Sequence, residues 1–392
     1  MYKVRTYNAI AAVGLQRFDD ARYSVSPEQD VPEAMLLRSH KLAVDELNPE
    51  LRAIARAGAG VNNVPVEACS ERGIVVFNTP GANANSVKEL VVTALLLASR
   101  DVFGGISYVR SLANIDDDAE LNRLVEAEKK RFKGQELIGK TLGVVGLGAI
   151  GSMVARAALD LGMKVIGYDP ALSVEAAWRV PSQVGRQENL PSLFSKADYV
   201  TLHVPLLPAT EGMINAESLA AFKPGSVLLN FARQPIVDAD ALASALASGQ
   251  VGKYVADFPV PGLIDHERVM LTPHLGASTA EAEENCAVMA ADQLMDFMET
   301  GSIRNSVNFP VVAMERSEGY RVAVANRNVP GMLGQMTSVL AERNINVIDL
   351  INKSRDDVAY NIIDMEQAPD SGLIDAICGI EGVINLRVIS AN

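Results

Sequence analysis

One stretch constrains the fold more than any other. Gly143-Val144-Val145-Gly146-Leu147-Gly148-Ala149-Ile150-Gly151 places G-x-G-x-x-G directly after an apolar strand and directly before a helical run. Gly146 permits a tight turn, Gly148 lets the backbone approach a pyrophosphate, and Gly151 allows the helix to pack closely on the strand. The helix N-terminus, opening at Ala149 and Ile150, stabilises phosphate charge. The next strand, Lys164 to Tyr168, ends at Asp169, close to the roughly 20-residue spacing at which an acid meets a ribose 2′-hydroxyl. An anion there disfavours the extra phosphate of NADP, so NAD is the expected cofactor. Arg179 and Arg186 are the cations that would reverse the choice.

A chain of 392 residues exceeds what one hydrophobic core organises, so two or three domains are expected. From Val31 to Pro80, short apolar runs at Ala34 to Leu37, Leu51 to Ala57 and Ile74 to Phe77 alternate with polar stretches, which predicts parallel strands in an α/β unit. Helical patterns follow from Ser86 to Arg100 and from Asp116 to Phe132. Three aspartates open the second, and they suit a helix N-terminus. Strands are then expected at Thr141 to Val145, Lys164 to Tyr168, Tyr199 to His203, Ser226 to Asn230 and Val269 to Thr272, giving a doubly wound parallel sheet of the Rossmann type. A helix from Thr279 to Glu299 ends at the cap signal Gly301, and Ser302 to Pro310 reads as an irregular connection where a boundary falls. The remainder reads strand, helix, strand, strand, helix, strand, a ferredoxin-like order.

Composition narrows the partners. With 48% hydrophobic and 21% charged residues the chain is globular, and its formal charge of -13 repels nucleic acid and anionic lipid. The start has no secretory cleavage pattern and reads as a strand and loop. Runs such as Leu90 to Ala98 are far shorter than the roughly 20 residues of a membrane helix. A cytoplasmic protein is expected. Cys69, Cys286 and Cys378 have no metal or redox spacing and read as small buried apolar side chains in a reducing compartment.

Oxidising a secondary alcohol beside a carboxylate needs a base for the hydroxyl proton, a cation for the carboxylate and a nicotinamide held against the carbon. His274 follows the last parallel strand in Thr272-Pro273-His274-Leu275-Gly276, at the C-terminal strand edge where open α/β sheets bind ligands, and is the best base. Arg233 follows the strand ending at Asn230 and can grip a carboxylate in two places. His203, in a turn with Val204 and Pro205, is expected to line the cofactor cleft or to serve structure alone. His40 and His266 read as loop residues. No two histidines have ligand spacing, so no metal site is expected.

Taken in order, Arg56-Ala57-Gly58-Ala59-Gly60-Val61-Asn62-Asn63, Asn78-Thr79-Pro80, the glycine triplet, Arg233 and Pro273-His274 resemble the D-2-hydroxyacid dehydrogenases over about residues 1 to 310. Pro273 to Thr279, the linker Ser306 to Pro310 and the C-terminal module are similar to the branch acting on 3-phosphoglycerate. The resemblance implies a substrate-binding domain at 1–95 and 280–308, an NAD-binding domain at 96–279 and an ACT regulatory domain at 317–392. It implies that the amides of Ala59, Gly60 and Val61 meet the substrate carboxylate together with Arg233, that His274 is the acid/base, and that Arg38 and Ser39 hold the substrate phosphate. Ala232 and Asp257 fall to the cofactor, with Asp257 facing the nicotinamide amide. In the ACT-like module Asn326, Asn328 and Asn346 match positions that bind serine as a feedback effector, the first being commonly histidine. The resemblance also implies a homodimer or homotetramer paired near Leu90 to Arg123.

Two departures stand out. Where the family places a glutamate to pair with its histidine, this chain reads Ala256-Asp257-Phe258-Pro259-Val260-Pro261-Gly262, so Asp257, Asp265 or Glu267 substitutes, or His274 works unassisted. Gln234 stands where a glycine commonly follows the arginine. A dehydrogenase of another 2-hydroxy acid, or an NAD-sensing binding protein on the same scaffold like the C-terminal-binding-protein corepressors, remain the alternatives.

Overall fold

The computed structural model describes residues 1–390 and divides into two compact units, Met1–Asn83 together with Ala280 onward, and Ala84–Thr279. The first unit opens with β1 (Tyr2–Thr6), α1 (Ala12–Leu15), β2 (Tyr23–Ser26), β3 (Ala34–Leu37), β4 (Ala53–Arg56), α2 (Val66–Glu71) and β5 (Val75–Phe77). The strands pair in parallel in the order β2-β1-β3-β4-β5, the flavodoxin-like winding. All four residues of β3 are buried because alternate side chains enter two cores, Ala34 and Leu36 on one face and Met35 and Leu37 on the other. That two-sided burial is why parallel strands read as unbroken apolar runs.

The second unit follows α3 (Ala84–Ser99), α4 (Val102–Ser111) and α5 (Asp118–Glu128) with β6 (Thr141–Val145), α6 (Ala149–Asp160), β7 (Lys164–Tyr168), α7 (Val174–Ala177) and β8 (Gly185–Arg186). It continues through α8 (Leu190–Lys196), β9 (Tyr199–Leu202), α9 (Ala216–Ala220), β10 (Ser226–Asn230), α10 (Ala239–Ser248), β11 (Val251–Ala256) and β12 (Val269–Leu271). Its parallel sheet runs β12-β11-β10-β9-β6-β7-β8, so strand order reverses between β6 and β9 and opens a crevice at their C-terminal ends. The aspartates expected to start a helix do so: Asp117 caps α5 by accepting from Glu120 N. The elements not anticipated include α4, β11 and β2. In α4 the Gly104-Gly105 pair hides a helix that Asp101 caps through Gly104 N. In β11 Gly252 interrupts the apolar run because a Cβ there would lie 2.4 Å from the Gly225 carbonyl oxygen. The strand β2 is a short alternating Tyr-Ser-Val-Ser.

The chain returns to the first unit through α11 (Ala280–Thr300), capped by Gly301 at φ 76°. The order β13 (Tyr320–Arg327), α12 (Met332–Glu342), β14 (Val347–Arg355), β15 (Val358–Met365), α13 (Ser371–Cys378) and β16 (Val383–Ile389) builds an antiparallel sheet β14-β15-β13-β16, as the ferredoxin-like reading requires. One face of this sheet packs under α12 and α13 through Val322, Val324, Ile363 and Met365. The other face, with Ala323, Tyr360, Ile362 and Ile389, shares one core with Phe297 and Met298 of α11 and with Phe77 and Phe309.

The connection at 302–310 is irregular, as expected, yet it is stitched to the edge of β5. Asn308 Oδ1 accepts from Val76 N at 2.9 Å, its Nδ2 donates to the Ile74 carbonyl at 2.9 Å, and Val307 N donates to the Val76 carbonyl at 2.9 Å. Cys69 and Cys286 are buried, but Cys378 is exposed, against expectation, because it ends α13 on the solvent side. Among the described residues no single helix is long and apolar enough to cross a membrane.

A fully buried ion pair fastens the antiparallel sheet to its approach. Arg321 donates from Nε to Asp364 Oδ1 at 2.6 Å and from Nη2 to Oδ2 at 2.8 Å. Its remaining N–H groups reach the carbonyls of Thr300, Met314 and Glu315. Burial alone would raise the Asp364 carboxyl, but the hydrogen bonds from Arg321 and Ser317 outweigh it and hold the group below its usual range. Replacing Arg321 by Met is expected to cost about 3–5 kcal/mol and to lower the urea midpoint, while Arg321→Met with Asp364→Leu recovers most of the loss. Because the folded carboxyl titrates below the unfolded one, the pair's contribution is present above the ordinary carboxylate range and fades as pH falls through the depressed value; acid unfolding followed in both variants checks this.

Candidate active site

The glycine turn after β6 behaves as its spacing predicts. Gly146 adopts φ 90°, and a Cβ on it would lie 2.7 Å from the His203 carbonyl oxygen. A Cβ on Gly151 would lie 1.9 Å from the Gly146 carbonyl oxygen, so α6 sits against the turn at a distance only glycine allows. A Cβ on Gly148 would meet nothing within 4 Å, leaving backbone open to a ligand. The amides of Ala149, Ile150 and Gly151 have no acceptor among the described residues. Together they form an anion cradle at a helix N-terminus, and its chemistry fits a dinucleotide pyrophosphate.

Asp169 closes the turn from the next strand. Its Oδ2 accepts from Leu147 N at 2.9 Å and its Oδ1 from Ala171 N at 3.0 Å. The same residue lines a cavity of about 640 Å³ together with Leu147, Pro170, Pro181 and Arg186. Arg186 therefore shares the space that decides between NAD and NADP, whereas Arg179 does not line it. His203 N donates to the Val145 carbonyl at 2.8 Å and holds the turn with its backbone, with Val204 and Pro205 following. Its imidazole faces inward, Nε2 hydrogen-bonded to Thr201 Oγ1 at 2.9 Å, and burial pushes its pKa down to about 3. The imidazole is thus neutral.

Three neighbouring strands carry the reactive side chains past their C-terminal ends. Asp257 N donates to the Asn230 carbonyl at 3.2 Å, and His274 N donates to the Asp257 carbonyl at 3.1 Å, so the loops after β10, β11 and β12 continue the sheet's ladder. Arg233 is anchored by Asn230, whose Nδ2 donates to the Arg233 carbonyl at 2.9 Å. Its guanidinium is exposed and touches the Ala232 carbonyl at 2.7 Å, while Ala232 itself is buried. Gln234 causes no strain, because it opens the short 3-10 turn Gln234–Ile236 without left-handed backbone. His274 sits at φ 59°, a conformation few non-glycine residues adopt outside constrained sites. Its exposed ring packs edge-on against Phe258 with centroids 4.9 Å apart.

Asp257 corrects two expectations. Its carboxylate is 2% exposed and is consumed inside the loop, Oδ1 accepting from Thr272 Oγ1 at 2.6 Å and Leu275 N at 2.7 Å, and Oδ2 from Gly276 N at 2.6 Å. It faces neither an open cofactor cleft nor the imidazole of His274. Glu267 pairs with Arg268 instead. Among the described residues of this unit no carboxylate forms an ion pair with His274.

In the first unit, the loops after β3 and β4 hold the other predicted residues. The Arg38 carbonyl accepts from Arg56 Nε at 3.0 Å and Asn63 Nδ2 at 3.2 Å, and the Arg38 guanidinium pairs with Glu283 at 2.7 Å. The Ser39 and His40 amides both donate to Asn8 Oδ1, at 3.1 and 2.6 Å. The Ala59 carbonyl accepts from Asn78 Nδ2 at 2.7 Å, and the amides of Ala59, Gly60 and Val61 have no acceptor among the described residues. Asn8, in left-handed backbone at φ 64°, and Glu283 escaped the sequence reading. Each matters only through a partner distant in the chain.

The predicted effector asparagines do not form one set. Asn326 is 1% exposed, its Nδ2 donating to the Arg327 carbonyl at 2.6 Å and its Oδ1 accepting from Asn361 Nδ2 at 2.7 Å. It is a buried rung in a ladder that continues to Asn352, and at 1% exposure it offers no surface to an effector. Asn328 and Asn346 are exposed, bonded to the Asp356 carbonyl at 3.0 Å and to Glu366 at 2.9 Å.

Comparison with known proteins agrees with this geometry. Residues 105–276 match the D-isomer specific 2-hydroxyacid dehydrogenase NAD-binding domain family. The D-3-phosphoglycerate dehydrogenase of Haemophilus influenzae is 36% identical over 90% of this chain and 85% of its own length. That of Synechocystis is 37% identical over 76% of this chain but only 52% of its own length, so the chain spans about half of some relatives it matches. The NAD+-bound 3-phosphoglycerate dehydrogenase of Entamoeba histolytica superposes with a TM-score of 0.62 at 26% identity, covering 78% of this chain and 98% of that one. The chain belongs to the D-3-phosphoglycerate dehydrogenase family of NAD-binding, D-isomer specific 2-hydroxyacid dehydrogenases.

Proposed function

We propose that the chain oxidises 3-phospho-D-glycerate to 3-phosphohydroxypyruvate in the cytoplasm, the first step of the phosphorylated route to serine. The observation that carries this reading is the strand-edge arrangement. Arg233 and His274 leave β10 and β12 at the sheet edge that also bears the glycine turn, with the β11 loop locked between them. Gly146, Gly148, Ala149, Ile150 and Gly151 would hold the pyrophosphate and Asp169 the ribose; bound NAD supplies the hydride acceptor. His274 takes the hydroxyl proton as the hydrogen on the same carbon departs with its electron pair. Arg233 neutralises the substrate carboxylate. In the other unit the amides of Ala59, Gly60 and Val61 serve the carboxylate, and Arg38 and Ser39 serve the phosphate.

We further propose that the chain assembles with copies of itself and that serine regulates it. The exposed stripe Val102, Phe103, Ile106 and Val109 on α4 supports self-association. Asn328 and Asn346 keep exposed amides suited to an amino acid, without Asn326. Unchanged turnover at millimolar serine, with no heat of binding, removes the second idea.

A coupled NADH assay tests the activity. 3-Phosphoglycerate should turn over and unphosphorylated D-glycerate should be much poorer; His274→Asn should abolish turnover, and Arg233→Lys should raise KM and lower kcat together. Turnover surviving in His274→Asn overturns the assignment of the base.

NAD should bind more tightly than NADP in a fluorescence titration, and Asp169→Asn should narrow that preference by roughly tenfold.

Asp257→Asn turns an acceptor toward donors already in place and loosens the His274 loop. At about 1.5–3 kcal/mol for hydrogen bonds to a charged group, turnover should drop by roughly tenfold to a hundredfold with NAD affinity little changed.

A further inference from the structure

A buried hydroxyl on α3 reaches into the loop that carries His274. The sequence pattern starts this helix at Ser86, but α3 opens two residues earlier, at Ala84, so the serine falls inside the first turn. Its side chain is buried, and Oγ donates to the Gly276 carbonyl at 2.8 Å. The helix behind it is fixed. Val87, Val91 and Leu95 share one core with Leu142, Val144 and Val255 of the sheet, so the donor is held as rigidly as the strands are.

Gly276 is thereby gripped at both polar ends, its N–H donating to Asp257 Oδ2 at 2.6 Å and its carbonyl accepting from Ser86. A Cβ on it would lie 2.9 Å from Asp257 Oδ2 and 3.4 Å from Val87, so the residue is wedged between the end of β11 and α3. Two positions before it stands His274 at φ 59°, a backbone state that persists only where its surroundings enforce it. Relaxation of the loop would swing the imidazole, and a displacement of about 1 Å near the chemistry costs on the order of a hundredfold in rate. The bond also has a place in the chain. The nucleotide unit runs from Ala84 to Thr279, so Ser86 and Gly276 tie its two ends together just inside the points where the chain enters and leaves. We infer that Ser86 is a positioning residue for the base: with Asp257 it fixes Gly276 and so holds His274 in its left-handed state. The inference rests on the reading of His274 as the base.

The single-turnover rate of NADH formation at saturating 3-phosphoglycerate, measured by stopped flow in the full chain, reads the hydride step apart from product release. Ser86→Ala keeps a good helix former and removes the donor. The rate should fall by roughly threefold to tenfold, the scale of one neutral hydrogen bond, with KM for 3-phosphoglycerate and the affinity for NAD unchanged. The losses in Ser86→Ala and Asp257→Asn should fail to multiply in the double variant, because the two side chains hold opposite ends of one residue. A rate unmoved in Ser86→Ala overturns the inference. So does a loss matched by an equal loss of NAD affinity, or one that multiplies with that of Asp257→Asn, since those effects do not pass through Gly276. His274→Asn separates the two levels: if turnover survives in it, the base is misassigned and the inference goes with it. If turnover is abolished there while Ser86→Ala leaves the rate intact, the inference alone is lost.

Discussion

The reactive edge of the nucleotide unit depends on one buried carboxylate. Asp257 gathers a hydroxyl and two amides from the loop that follows β12, and its own carbonyl holds the amide of His274. A left-handed histidine is a costly backbone state, and Asp257 shares its upkeep with the Ser86 hydroxyl, which donates to the Gly276 carbonyl at 2.8 Å. The charge of Asp257 is spent on geometry rather than on the proton. Among the described residues of this unit the imidazole of His274 is left with the edge of Phe258 as its ring contact.

How far the molecule could be read from its residues depends on how local the cause is. Ala34 to Leu37, Thr141 to Val145 and Ser226 to Asn230 form strands with the predicted bounds, because burial on two faces writes itself as an apolar run; Val383 to Ile389 also keeps its bounds, though only Ile389 of it is buried. The glycine triplet was legible for the same reason, since each position answers a steric demand within a few residues. The strand β11 was not, because Gly252 and Lys253 break its run, and the glycine is explained only by the carbonyl of Gly225. Asp257, Asn8 and Glu283 were misread or missed. A carboxylate or amide has no preferred direction until distant backbone is folded around it, and spacing along the chain does not encode that direction.

Asn326 makes the same point in the antiparallel sheet. A position matched by resemblance to effector binding became a buried rung bonded to Asn361, because strand pairing places Asn326, Asn361 and Asn352 on the face beneath the helices. Asn326 and Asn361 are buried and bonded to one another there, so neither is available at small cost to a ligand. The helix α11 links that sheet to the parallel one. It buries Ala290, Leu294, Phe297 and Met298 in a core common to both, and its opposite end presents Glu283 to Arg38.

The shared core makes the C-terminal module a poor candidate for transplantation. Removing it at the irregular connection would strip the cover from Phe297, Met298 and Phe309 and leave the Thr300 carbonyl without the guanidinium of Arg321. A segment whose sequence looks like a detachable accessory is, in its packing, a wall of the domain that precedes it. Chimeras that exchange it between homologues must therefore carry α11 and its facing strand residues along.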